Sequence, residues 1–218
     1  MRIDDLRKKI PSEEFDYQSL MDALSGYAQP RGKISSLLAQ GAIIRIKKGL
    51  YVFGPSCQRR PYSRELLANL IYGPSCVSLE FALHYHGLIP EKVEAVTSVT
   101  TKRPKKFQTP VGLFIYGKVP EAGFHIGIQR IEEDGRAFLI AAPEKALADK
   151  LRSDRGLNIR TQKECLEYLV SSLRIAESDL LKLNPGLLEK LGNAYNSKRI
   201  SLLAQIIKRI QKRAGSNA

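Results

Sequence analysis

The chain has 218 residues, 43% of them hydrophobic, with 35 Lys and Arg against 22 Asp and Glu and a formal net charge of +13. That apolar fraction excludes a disordered polyelectrolyte, and no uninterrupted apolar run reaches the ~20 residues that a membrane helix needs. Three scattered cysteines, Cys57, Cys76 and Cys165, form no C-x-x-C pair, which argues against a disulfide framework and against a cysteine-rich zinc site.

The opening MRIDDLRKKIPSEEF lacks the apolar core of a secretory leader, so a cytoplasmic protein is expected. YQSLMDALSGY then begins with a helical pattern of Leu20, Met21 and Leu24, started by Asp16 or Tyr17 and followed by Gly26 past its end. In AQPRGKISSLLAQG, Pro30 fits a first helical turn, Ile34, Leu37 and Leu38 form one apolar face, and Gly41 stops the helix. GAIIRIKKGLYVFG reads as two strands around a turn at Lys47, Lys48 and Gly49. Helix, turn, helix and hairpin in this order predict a winged helix-turn-helix over residues 1–60.

No acidic residue lies between Asp22 and Glu65, an interval that holds eight Lys and Arg. Charge without internal neutralisation favours a polyanion. The second helix would enter the major groove with its amino end leading, so Gln29 and Arg31 are the candidates to read base edges. Lys33, Ser35 and Ser36 suit phosphate, and Arg45, Lys47 and Lys48 of the wing, with Arg59 and Arg60 after it, would lie on the backbone or the minor groove. The competing reading is a small winged domain used for protein contacts.

Residues 61–218 predict a second domain. YSRELLANLIYGPSCVSLEFALHYHGLIPE reads as two helices broken at Gly73-Pro74, with Ser78 as cap of the second and Glu80 in its first turn. VEAVTSVTT and VGLFIYGKV read as strands, and FHIGIQRIEEDGRAFLIAA as a hairpin turning at Asp134-Gly135. APEKALADKL is helical, as are QKECLEYLVSSL, SDLLKLN and SKRISLLAQIIKRIQKR, the last with Ile200, Leu203, Ile207 and Ile210 on one stripe. The expected fold class is therefore α+β, the second domain having a small, mainly antiparallel sheet and a helical carboxyl-terminal half. Thr101, Lys102, Arg103, Lys105 and Lys106 form a second basic site suited to RNA, a nucleotide or an acidic partner. A third basic cluster runs from Lys198 to Arg213.

No catalytic or metal-binding set emerges, and no cofactor is expected. His84 and His86, two apart on a helix, point in different directions, whereas a helical metal pair needs a spacing of four. His125 stands alone in an expected strand, Cys76 has no third group to orient a Cys–His pair, and Glu132, Glu133 and Asp134 sit at a hairpin tip where carboxylates are usually solvated. No phosphate-binding glycine motif occurs.

LLAQGAIIRIKKGLYVF (37–53), YGPSCVSLEFALHYHGLIPE (72–91), VEAVTSVTTKRPKKFQTPVGLFIY (93–116) and APEKALADKL (142–151) together resemble the AbiEi-type antitoxins of type IV toxin–antitoxin systems. The resemblance implies a transcriptional repressor that binds inverted repeats in the promoter of its own operon and a second domain that supplies antitoxicity. Its functional partner would be a nucleotidyltransferase-like toxin, acting without a tight complex; the protein would be a monomer or weak dimer, away from membranes and not an enzyme. Two other classes stay open: an RNA-binding or ligand-sensing regulator without a toxin, and a nucleic-acid-processing enzyme.

Overall fold

The structure, a computed structural model, describes residues 3–154, 156 and 158–216. It is a mixed α+β protein with two sheets. The amino-terminal unit runs α1 (Ile3–Lys9), β1 (Glu14–Asp16), α2 (Tyr17–Ala23), α3 (Pro30–Ala39), β2 (Ile43–Lys47) and β3 (Leu50–Phe53). Its three strands pair antiparallel in the order β1-β3-β2. α1 and β1 were not expected, because seven and three residues are too short to establish a period. α2 begins as read, with the Asp16 carboxylate accepting from Ser19 N at 2.8 Å, but it ends at Ala23, three residues before Gly26.

The remainder follows as α4 (Arg64–Ile71), β4 (Ser75–Val77), α5 (Leu79–Tyr85), β5 (Val96–Thr100), β6 (Lys105–Thr109), β7 (Gly112–Lys118), α6 (Glu121–Phe124), β8 (Ile128–Glu133), β9 (Arg136–Ala141) and α7 (Pro143–Ser153). α8 (Gln162–Glu167) runs into a π-helical turn at Tyr168–Ser172, and α9 (Glu177–Leu180), α10 (Pro185–Ala194) and α11 (Lys198–Ser216) close the chain. Six strands form one sheet in the order β6-β7-β5-β4-β9-β8.

The expected sheet was small and mainly antiparallel. The observed one is larger and, though antiparallel pairings are in the majority as expected, it is mixed: β6/β7, β4/β5 and β8/β9 are antiparallel, while β5/β7 and β4/β9 are parallel. Two strands account for the difference. β4 is buried at all three positions, so it shows no alternation, and the basic run Lys105-Lys106 starts β6. The β8–β9 turn forms where expected, with φ of 51° at Asp134 and 69° at Gly135, as a two-residue hairpin loop requires.

α4 covers one face of the large sheet and α5 the other. The Tyr116 hydroxyl donates to Ala68 O of α4 at 2.6 Å, whereas Thr97, on the opposite face, meets the start of α5. Ser78, expected to cap α5, makes no capping bond. Thr97 does that work from the neighbouring strand: its hydroxyl accepts from Phe81 N at 3.1 Å and donates to Ser78 O at 2.7 Å. A hydroxyl held by the sheet thus satisfies one of the donors that a helix start leaves open.

The smaller apolar cluster lies between Leu6 and Phe53, and the larger takes Ile46, Leu50 and Val52 before collecting residues from Leu67 onward. The β2–β3 hairpin therefore packs on both. Two carboxylates pin the same seam. Glu13 accepts from Arg7 at 2.6 Å and from Arg59 N at 3.2 Å. Glu14 accepts from Ser63 N at 2.5 Å and from Arg136 at 3.3 Å, while Arg136 also donates to Pro61 O. Both carboxylates are almost wholly buried.

Replacing Thr97 by Val keeps the shape of the side chain and leaves Phe81 N and Ser78 O without partners. Urea unfolding should show a loss of about 1–3 kcal/mol, against little change for Thr101→Val at a half-buried surface position.

Candidate functional site

α3 buries Ile34 and Leu37 and turns its other faces outward. Pro30 stands at its first position, and Gln29 before it makes no side-chain cap. Gln29, Arg31 and Ser35 are exposed, while Lys33 and Ser36 are half-buried. Lys33 lies 5.8 Å from the centre of the Tyr27 ring. The two serines bond within the helix: Ser35 Oγ donates to Arg31 O, and Ser36 Oγ accepts from Gln40. Gln29 and Arg31 thus stay exposed at the amino end of α3.

The β2–β3 hairpin departs from expectation at Lys47. Its ammonium donates to Leu70 O at 2.9 Å and to Ile71 O at 2.5 Å, the last carbonyls of α4. A register shift between Arg45 and Lys47 interrupts the alternation of β2 at this point. The turn consists of Lys48, which is exposed, and half-buried Gly49 at φ 87°, and Arg45 is also exposed. Arg60 departs too: its guanidinium donates to Asp134 O at the tip of the β8–β9 hairpin. Arg59 has an exposed side chain and uses only its backbone N–H on Glu13. Lys47 and Arg60 are thus engaged within the fold, whereas among the described residues the side chains of Arg45, Lys48 and Arg59 make no ion pair or hydrogen bond.

The second basic cluster lies beside the β2–β3 hairpin. Lys102 donates to Gly73 O at 2.5 Å, and the Lys102 and Lys105 ammoniums each lie 5.7 Å from the centre of the Tyr72 ring. Lys105 also stands 4.9 Å over Phe107. Tyr72 donates to Arg103 O at 3.2 Å. Burial lowers the pKa of Lys47, and the charge of Lys105 lowers it further. Positions 47 and 105 thus repel each other across the end of α4. The reason lysines gather here is local. Gly73-Pro74 ends α4, and the carbonyls left open accept from Lys47 and Lys102. Lys102, Arg103, Lys105 and Lys106 are exposed and Thr101 is half-buried.

A third constellation was not foreseen. Lys145 and Asp149, one turn apart on α7, are both buried, with Nζ 3.4 Å from the carboxylate. Tyr195 donates to Asp149 at 2.6 Å, Ser78 donates to it at 2.7 Å, and Lys145 donates to Tyr195 at 2.8 Å and to Gly123 O at 3.1 Å. Gly123 is required where it stands, because a Cβ there would lie 2.1 Å from the Tyr195 ring. Burial raises the Asp149 pKa, against the pull of Lys145, Tyr195 and Ser78. Burial and then the Asp149 charge raise that of Tyr195. The spacing of Lys and Asp in PEKALADK was the only sequence signal; Tyr195 lies 46 positions beyond Asp149.

The other candidates have structural surroundings. The Cys76 thiol is pushed up to about 12 by burial, so it stays protonated at neutral pH. His86 Nε2 donates to Ala141 O at 2.8 Å, and His84 is exposed. His125 stands just after α6, not in a strand, with its exposed ring against Phe124. At the β8–β9 tip Glu132 pairs with Arg130 at 2.9 Å and Glu133 accepts from Tyr85. Among the described residues no group of three His, Cys, Asp or Glu could hold a metal ion, and no helix is long and apolar enough to cross a membrane.

Neither the protein-family models nor the curated proteins give a match to this sequence. Among solved structures the chain is similar to a provisionally assigned nucleotidyltransferase from H. pylori, with 13% identity, 71% of this chain and 94% of that one covered, and a TM-score of 0.35. It is also similar to JHP933 from Helicobacter pylori, with 12% identity, 71% and 90% covered, and a TM-score of 0.34. Scores at this level do not establish a common fold, and the activity in the first description is said of that chain alone.

Because the Asp149 pKa is raised in the folded state, its contribution is fully present below the ordinary carboxyl range, about pH 4, and is lost as pH rises through the raised value. Asp149→Asn, which cannot ionise, should therefore gain stability relative to the parent as pH rises from about 4 toward neutrality. Urea midpoints at three pH values measure this; a constant difference would show that the carboxyl does not titrate in that window.

Proposed function

We propose that the chain is a sequence-specific double-stranded DNA-binding regulator, with a winged helix-turn-helix in residues 1–60, that acts as an antitoxin and represses its own operon. The observation that supports this most is the chain order α1-β1-α2-α3-β2-β3 with sheet order β1-β3-β2 and with Gln29 and Arg31 uncovered at the amino end of α3. That is the arrangement in which a second helix can enter a major groove and a hairpin can follow the backbone. The cations that would meet phosphate are Arg45, Lys48 and Arg59, joined across the end of α4 by Arg103, Lys105 and Lys106. No acidic residue lies in 23–64 or in 95–120, the stretches that supply them. Antitoxicity, inverted repeats in the promoter and a nucleotidyltransferase-like toxin as functional partner follow from the sequence resemblance to AbiEi-type antitoxins. A second reading, RNA as the ligand of the Lys102–Lys106 site, is favoured by the aromatic rings of Tyr72 and Phe107 under its lysines.

Fluorescence anisotropy of the full chain on DNA from upstream of its own gene, against scrambled DNA, tests the first reading. Preference for the upstream DNA is expected, with log K falling against log salt at a slope of about −4 to −6 if five or six phosphates are neutralised. Equal, weak binding to both would overturn it. RNA bound more tightly than either DNA would move the function to the second site.

Arg31→Ala should weaken specific binding by about 1–3 kcal/mol and relax sequence preference. Lys48→Ala and Lys105→Ala should weaken binding on every sequence and shallow the salt slope by about 1 each. Lys47→Ala should act differently, lowering the unfolding midpoint through the lost contacts with Leu70 O and Ile71 O.

A further inference from the structure

A cavity of about 420 Å³ opens beside Asp149, between α5, α7 and the ends of β5 and β7. Its size falls in the ~300–1,000 Å³ range of small-molecule sites. Leu79, Val99 and Val119 give it apolar walls. Lys118 and Arg152 supply positive charge, and Asp149 lies at its base. The carboxylate is already neutralised and hydrogen-bonded by Lys145, Tyr195 and Ser78. The two cations are not: among the described residues neither makes a salt bridge or donates a side-chain hydrogen bond. Arg152 rests over the Tyr195 ring at 5.5 Å, so the buried cluster also fixes its direction.

Two further observations set this cavity apart from a packing defect. β5 and β7 run parallel and both end at it, through Val99 and Lys118. The crevice beyond the carboxyl ends of parallel strands is where open sheets bind ligands. Leu79, which forms one wall, holds φ at 60°, a strained value for a residue with a side chain. The strain is maintained by Ser78, whose N–H, carbonyl and hydroxyl are each held, by Thr97 O, Thr97 Oγ1 and Asp149.

We propose that this cavity binds a small organic phosphate, with Lys118 and Arg152 on the dianionic group and Leu79, Val99 and Val119 against a ring-sized apolar body. Two uncompensated cations match a dianion, and the planar guanidinium can grip two of its oxygens. The cavity also touches Pro104, between Arg103 and Lys105 of the proposed DNA-binding surface, but binding of a small phosphate in it does not require that DNA binds.

Isothermal titration calorimetry of the full chain with AMP, GMP, CMP and UMP, and with inorganic phosphate, tests the proposal. At least one nucleoside monophosphate should bind saturably at one site per chain, at least tenfold tighter than inorganic phosphate. Lys118→Ala and Arg152→Ala should each weaken it tenfold or more. Gly117→Val should abolish it, because a Cβ at 117 points at Leu79 Cδ1 from 3.9 Å and a larger side chain occupies the cavity. Lys118 and Arg152 are exposed, so unliganded melting temperatures should stay within a few degrees of the parent. No saturable binding of any of the four nucleotides would overturn the proposal. So would binding that survives Arg152→Ala and Gly117→Val but is lost in Lys105→Ala, which would place the anion on the basic surface beside Tyr72.

Discussion

Both oxygens of Asp149 meet donors, and they have to, because a carboxylate taken out of water is tolerated only when its oxygens are hydrogen-bonded. The donors come from three places in the chain: Lys145 from the same helix, Tyr195 just after α10, and Ser78 before α5. Each is then committed elsewhere. Lys145 holds Gly123 O, Gly123 makes room for the Tyr195 ring, and Ser78 is fixed by Thr97 of the sheet. One buried charge thereby sets how α7, the loop after α10 and the start of α5 meet the sheet. The same arrangement creates the wall and the base of the adjacent cavity. Such a cluster adds little net stability compared with apolar packing, but losing one member leaves the others unpaired, which costs several times more.

A second local rule organises the charged surface. α4 ends at Gly73-Pro74 and leaves carbonyls open. Lysines from β2 and from the segment after β5 converge on them, which brings two basic stretches, 55 positions apart at Lys47 and Lys102, to one place. Part of the positive charge that dominates the composition is therefore used within the fold. The part left over, which includes Arg31, Arg45, Lys48, Arg59, Arg103, Lys105 and Lys106, is what a polyanion could meet. Sorting cations into committed and uncommitted ones changes which substitutions bear on binding and which on stability.

The seam between the amino-terminal unit and the rest is also ionic. Glu13 and Glu14 collect Arg7, Arg136 and two backbone N–H groups within a largely buried strip. Arg60 and Arg136 tie the same region to the β8–β9 hairpin. These contacts, and the β2–β3 hairpin, which packs on both apolar clusters, join the two units.

Much of the secondary structure was legible because its causes are local. Pro30 and Pro143 open helices α3 and α7, and Asp134-Gly135 turns the hairpin through backbone preferences of those residues alone. The α+β class follows from the alternation of β5, β7, β8 and β9 and the helical period of α11. β4 and β6 were hidden: one is buried throughout and has no period, the other begins as a run of lysines. Their parallel and antiparallel neighbours depend on which strands meet in space, and nothing local in the chain records that. The cap role of Ser78 was misread, and the internal contacts of Lys47 and Arg60 were missed, for the same reason. Each has the residue type its expected role needs, but its partner, Asp149, the end of α4 or Asp134, lies 71, 23 or 74 positions away. The sequence by itself determined most of the helices, the β2–β3 and β8–β9 hairpins and the excess of positive charge, since these rest on neighbouring residues. Only the tertiary structure decided which charges are buried, which are spent on open carbonyls and which remain at the surface, because burial and long-range pairing are properties of the folded chain.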